Sequence, residues 1–268
     1  MATGRSVGCR LRHEQRTLKS QKKMNKTKTL LALFAGIVVI ISAWLLARGA
    51  TNFRKEDPKI NVTGMAEKQI TSDLIVWNLT LNAKNDTRAS AYADFKGAAQ
   101  TLRQYLKAQG IADSSLSTSS VDISAQSKSF YNSKLQQYVN IDDGFAVSQT
   151  FTVRSTNLPL VEKVYRNISE LYNEGLNFSS NAPLYYYTRL NDLKMEMLNK
   201  ASANAYERAQ TIAKGSHASI GSMVSSSMGV FQIVGLNSNE EYSWGGTFNT
   251  SSKEKVASIT VRTTYEVE

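Results

Sequence analysis

A chain of 268 residues with 32 Lys and Arg against 22 Asp and Glu carries a formal charge of +10, a balance that on its own points toward nucleic acid or a membrane surface. The charge is unevenly placed: nine basic residues and a single acid, Glu14, precede residue 29, whereas from Thr51 onward 22 basic residues meet 21 acidic ones. That near-neutral remainder excludes the electrostatic footprint of a nucleic-acid-binding domain, and the lone cysteine, Cys9, leaves it no disulfide, thiolate nucleophile or Cys-based zinc site.

Residues 1–29 read as a basic cytoplasmic tail, with Met24 an alternative start. Leu30 to Ala47, "LLALFAGIVVIISAWLLA", is an uncharged run of 18 residues, at the lower edge for a spanning helix and longer than the apolar core of most signal peptides. The positive charges ahead of it place the N-terminus in the cytoplasm and the rest of the chain in the periplasm, on a single pass through a bacterial inner membrane. The alternative is a cleaved signal peptide, since Ala47 and Gly49 sit at −3 and −1 of a cleavage site and would release a periplasmic protein. Residues 48–58 read as a polar linker.

The exported part, 59–268, then runs through alternating strands and helices. Ile60 to Thr63 is expected as a short strand, Gly64 as a sharp turn, "MAEKQITS" as a solvated connection, and Ile75 to Ala83 as the partner strand of a hairpin, with Ile75, Trp77, Leu79 and Leu81 on one face. Asp86 is placed as the cap of a helix reaching Gln109, its stripe formed by Tyr92, Phe95, Ala99, Leu102 and Leu106, and Gly110–Ile111 as its C-terminal cap. "SVDISAQSKSF" and "GFAVSQTFTV" read as strands, joined by a long polar tip that ends in a turn at Asp142–Asp143–Gly144. A second round follows. Asn157 caps a helix with Pro159 in its first turn, and Gly175 ends it. "LNFSSNAPLYYYT" is a strand region, with Pro183 at an edge or bulge. A helix from Leu190 to Lys214 carries the ladder Leu193, Met197, Ala201, Ala205, Ala209 and Ala213. Ile220 to Val234 and Val256 to Val267 are expected as strands, and the polar stretch between them as a long mobile loop. Hairpins outnumber parallel crossovers, so the fold class is α+β, with largely antiparallel sheet and about three packed helices behind one N-terminal hydrophobic helix.

No residue set in this part carries obvious chemistry. His217 is its single histidine, in the turn "GSHAS", so no His-based metal set can form. Asp142–Asp143 reads as a turn, and Glu240–Glu241 falls in the polar loop. P-loop, dinucleotide and serine-elbow motifs are missing. No catalytic, cofactor-binding or metal-binding residue is assigned, no cofactor is expected, and the small-molecule ligand, if any, is left unknown. The aromatic residues are the remaining candidates. Tyr185 and Tyr187 share a strand face and Trp244 stands in a loop beside Gly245 and Gly246; all three are candidates for an interaction surface, because such rings bring large contact area at low entropic cost.

The order of these elements is itself informative. "INVTGMAEKQITSDLIVWNLTLNAKNDTRASAYADF" resembles the opening of the SIMPL domain family, and "LKMEMLNKASANAYERAQTIAKGSHASIGSMVSSS" is similar to that family's Ala-repeating helix and the strand after it. The resemblance covers Lys59 to Glu268. It implies an α+β domain exposed in the bacterial envelope, without an enzymatic motif, in a family where some members assemble into ring-like or channel-like oligomers and some are linked to stress defence. The expected function is therefore a non-enzymatic, membrane-anchored envelope protein that self-associates and contributes to envelope integrity or stress tolerance. The alternative is an envelope module that binds a ligand or peptide.

Overall fold

The computed structural model describes residues 30, 31, 33–48 and 58–268. The basic tail and most of the linker lie outside them. Residues 33–48 form a helix, α1, but among the described residues no helix is long and apolar enough to cross a membrane. Lys59–Glu268 forms a compact unit of its own, and the rest of the fold concerns that unit.

It contains two antiparallel sheets. In the first, β10 (Glu254–Val267) lies between β1 (Lys59–Thr71) and β8 (Ile220–Met228), and β9 (Gln232–Gly235) also pairs with β10. In the second, the order is β3 (Leu116–Thr118), β5 (Gln137–Ser155), β2 (Leu74–Asn85), β6 (Asn177–Ser180), with β4 (Asp122–Asn132) also on β5 and β7 (Leu184–Tyr186) also on β2. The α+β class with antiparallel sheet is as expected.

Each sheet has its own core. Ile75, Trp77, Leu79 and Leu81 of β2, with Val147, Phe151 and Val153 of β5, bury one face of the second sheet against α2 (Arg88–Ala108) and α3 (Leu158–Asn167). Two dyad patterns in register, Trp77 opposite Val153 and Leu79 opposite Phe151, make that face continuous. The first sheet buries Val62, Ala66, Ile70, Ala257, Ile259 and Val261 against α4 (Leu190–Gly215). All six residues of the expected ladder, from Leu193 to Ala213, are buried on α4.

The first expected hairpin does not exist. β1 is one strand of 13 residues, pairing with β10 as Gly64 opposite Val261 and Ile70 opposite Lys255, while β2 belongs to the other sheet. The two-residue step Ser72–Asp73 carries the chain between sheets. Alternation persists through "MAEKQIT", but its inward positions are Gly64, Ala66, Lys68 and Ile70, too small or too polar to register as a hydrophobic period. Small residues are needed there because α4 comes so close. A Cβ on Gly64 would lie 2.1 Å from the Ala201 carbonyl oxygen and 2.5 Å from the Ala205 nitrogen. Gly64 therefore permits helix contact and makes no turn. The helix also shields the outer edge of β1: Asn204 Oδ1 accepts from Met65 N at 3.2 Å and Arg208 donates to Thr63 O at 2.9 Å. Glu196 bridges Lys200 and Lys68, and these two bonds hold its carboxyl down at about 2.

Four further boundaries shift. Thr87, not Asp86, caps α2, its Oγ1 accepting from Ser90 N at 3.1 Å. The long polar tip is mostly a two-stranded ribbon, with Phe130 opposite Val139 and Tyr131 opposite Tyr138. Both of its faces meet water over much of this length, which removes the hydrophobic period. Asp142 and Asp143 are thus strand residues, Asp143 paired with Lys84, and Gly144 takes φ 77° beside a register shift. Ile220–Val234 is broken into β8 and β9. Asn157 does cap α3, its Oδ1 accepting from Leu160 N at 3.2 Å. Asn157→Ala should cost about 1 kcal/mol in denaturant unfolding; an unchanged midpoint would remove the cap from the account.

Candidate interaction surface

The loop between β9 and β10 is polar in composition yet tightly bonded. Its base is organised by Lys255, which shares the inward parity of Ala257 and Ile259 on β10 but lies at the end of that row. Lys255 is 0 % exposed. Its Nζ donates to the Ser252 carbonyl and, at 3.3 Å, to Asn249 Oδ1. Burial pushes its pKa down to about 8, against the opposing pull of Glu240. Glu240 accepts from Gly235 N at 2.9 Å and from the Asn249 amide, and these bonds lower its own pKa. Asn249 Oδ1 also accepts from Ser252 N at 2.8 Å.

A second clamp sits at the neck. Buried Gln232 donates to Ser243 O at 2.6 Å and accepts from Thr247 N at 2.8 Å. Tyr242 lies between the two clamps, and Trp244 lies within the second, between Ser243 and Thr247. The expected mobile loop is thus hydrogen-bonded at both ends, because its Asn, Ser and Glu side chains serve as local acceptors for backbone N–H groups.

These residues stand over the face of the first sheet that α4 leaves uncovered. Met65, Val230, Tyr242, Trp244 and Thr260 line a groove of about 490 Å³ there. Trp244 is 100 % exposed and Tyr242 is exposed beside it. A tryptophan ring without burial against its own chain leaves a large apolar area in water, the property that marks contact sites.

The other two aromatic candidates lie elsewhere. β7 ends at Tyr186, so Tyr185 and Tyr187 do not share one continuous strand face. Tyr185 is half-buried at the margin of the second sheet's core, its hydroxyl donating to Glu162 at 3.2 Å; burial, then Glu162, raises its pKa. Tyr187 packs at the margin of the first sheet's core, with the Arg189 guanidinium 5.6 Å from its ring centre. Neither lines the Trp244 groove. Of the remaining sequence candidates, His217 occupies a left-handed turn (φ 56°) after α4, and Glu241 is exposed in the loop. Among the described residues no group of three His, Cys, Asp or Glu could hold a metal ion.

Met65, Val230, Tyr242 and the Lys255 clamp escaped the sequence reading. One signal was available: a lysine at an inward position of the most regular strand requires buried partners.

Two antiparallel sheets, each backed by helix, with a clamped loop carrying exposed aromatics beside a groove, define an α+β domain. The chain belongs to the SIMPL family, described as a protein of unknown function (DUF541), whose model matches residues 60–268. That match begins one residue inside the compact unit and covers both sheets. No curated protein matches the chain.

Proposed function

We propose that this is a non-enzymatic protein of the bacterial envelope, held at the inner membrane by Leu30–Ala47 with its SIMPL domain in the periplasm. The domain self-associates and so contributes to envelope integrity or stress tolerance. One observation carries the self-association: Trp244, fully exposed at the rim of an apolar groove, on a loop fixed at both ends. A pre-ordered aromatic anchor loses little entropy on contact, which is how few residues come to dominate an interface. The near-neutral domain adds no general repulsion between copies.

Size-exclusion chromatography with light scattering tests this on the full chain in mild detergent and on residues 59–268. The expected result is a concentration-dependent assembly whose dissociation constant rises tenfold or more in Trp244→Ser. A strict monomer at high concentration overturns it. The groove's volume also lies in the range of small-ligand pockets, which supports the rival reading, an envelope module binding a ligand or peptide. A monomer whose melting temperature rises with an apolar peptide would favour that rival. For the anchor, N-terminal sequencing of the mature protein is decisive: a start at Ala50 or Thr51 replaces it with a cleaved signal.

A further inference from the structure

The step from one sheet to the other creates a second, chemically different crevice. It is lined by Ser72 and Asp73 of the step itself, Leu158 and Pro159 at the start of α3, Arg189 and Lys253, and encloses about 530 Å³. Among the described residues Ser72 Oγ is the buried side-chain polar atom with no hydrogen-bond partner in the protein, and Ser72 is only 4 % exposed. A buried hydroxyl left unpaired is costly, and buried polar groups without protein partners find them in water or ligand. No protein atom pairs with this hydroxyl, and the crevice that Ser72 lines offers the nearest room for a water or ligand partner.

The charges around the crevice are paired, and the donors left over favour an anionic partner. Asp73 is the one carboxylate on the wall, and both its oxygens are engaged: Oδ1 accepts from Thr188 N at 2.8 Å and Oδ2 from Thr188 Oγ1 at 2.9 Å. Arg189 Nε lies 3.7 Å from Asp73 Oδ2, beyond hydrogen-bond range, and the Arg189 side chain is 69 % exposed. Arg189 is thus ion-paired with Asp73 without a hydrogen bond between them, and its forked donors stay open to a planar or tetrahedral oxyanion. Lys253 sits on the opposite wall, its carbonyl accepting from Ser72 N at 3.0 Å and its ammonium paired with Glu162 at 3.1 Å. The N-terminus of α3, a helix of 10 residues, adds the positive end of a helix dipole.

We propose that this crevice binds a small oxyanion of the carboxylate or phosphate class, with Ser72 Oγ donating to it and Arg189 supplying its counter-charge beside the start of α3. The site is independent of the Trp244 surface and of any self-association.

The test is thermal unfolding of the full chain in inorganic phosphate and, separately, in acetate, each against chloride at equal ionic strength. At saturating anion, phosphate, acetate or both should raise the melting temperature by several degrees over chloride. Arg189→Gln, at an exposed position where folding is not at stake, should abolish the rise. Ser72→Ala should reduce it while leaving the melting temperature in chloride unchanged or higher, because an unpaired buried hydroxyl has been removed. Which anion acts identifies the class. The proposal is overturned if neither anion exceeds chloride. It is also overturned if the rise survives in both variants, since a general salt effect on the folded state, and no bound anion, would then account for it.

Discussion

Gly64→Ala is expected to lower the stability of the domain by about 3 kcal/mol or more, and Gly64→Val to prevent its folding in soluble form. The added carbon would fall 2.1 Å from Ala201 O, 2.5 Å from Ala205 N and 2.8 Å from Ala205 Cβ. Two of these are backbone atoms of α4, so no change of rotamer relieves the overlap. The helix must lift from the sheet, which opens the Ala201–Ala205 contact and draws Asn204 and Arg208 away from the β1 edge they cover. Ala205→Gly in the Gly64→Ala background should restore little, because it removes only the Cβ contact. Denaturant unfolding measures both effects. A wild-type midpoint for Gly64→Ala would disprove the close approach.

The second large effect belongs to Lys255. Lys255→Met keeps much of the side-chain volume but leaves the Ser252 carbonyl without its donor and removes one partner of Asn249, at a cost of about 1–3 kcal/mol. The pH dependence separates this from simple packing loss. In the folded protein the ammonium titrates at about 8, below its ordinary 10.5. Between those values the unfolded chain holds this proton more firmly than the folded one, so stability rises with pH across that window. The raised pKa values of Tyr105 and Tyr185 act in the opposite sense above about pH 10, so the rise is read between pH 8 and 10. Lys255→Met should lose it. An identical pH profile in the variant would mean that Lys255 is not the buried cation responsible.

The two residues act on one functional element. Gly64 lets α4 cover one face of the first sheet, leaving the opposite face open, with Met65 on it. Lys255 ties down the loop that carries Trp244 above that face. If Trp244 anchors self-association, Lys255→Met should weaken assembly along with stability, whereas Trp244→Ser should weaken assembly alone.

Elements with a strong period and a clear cap were legible in the chain itself. α4 shows this best: six inward positions at a spacing of four, all buried. β2 and β10 were equally plain, since each carries one regular apolar face that is buried, and Gly110, at φ 92°, ends α2 in the left-handed cap its glycine indicated. The α+β class and the family resemblance followed from the order of such elements.

Part of what the chain did not reveal sits in partners far away in sequence. Gly64 looks like a turn until Ala201 and Ala205, about 140 residues on, come against it. Asp73, in the two-residue step between the sheets, binds Thr188, in the other half of the domain. The outer part of the β4–β5 ribbon has no buried face to leave a period, and the clamped loop looks flexible because part of what holds it, Gln232 and Lys255, lies in the strands on either side. Short-range pattern determined which segments are helix or strand. Only tertiary packing decided which strands share a sheet, why one inward position must be glycine, and where Trp244 is held, because those outcomes depend on contact between surfaces that periodicity describes one at a time.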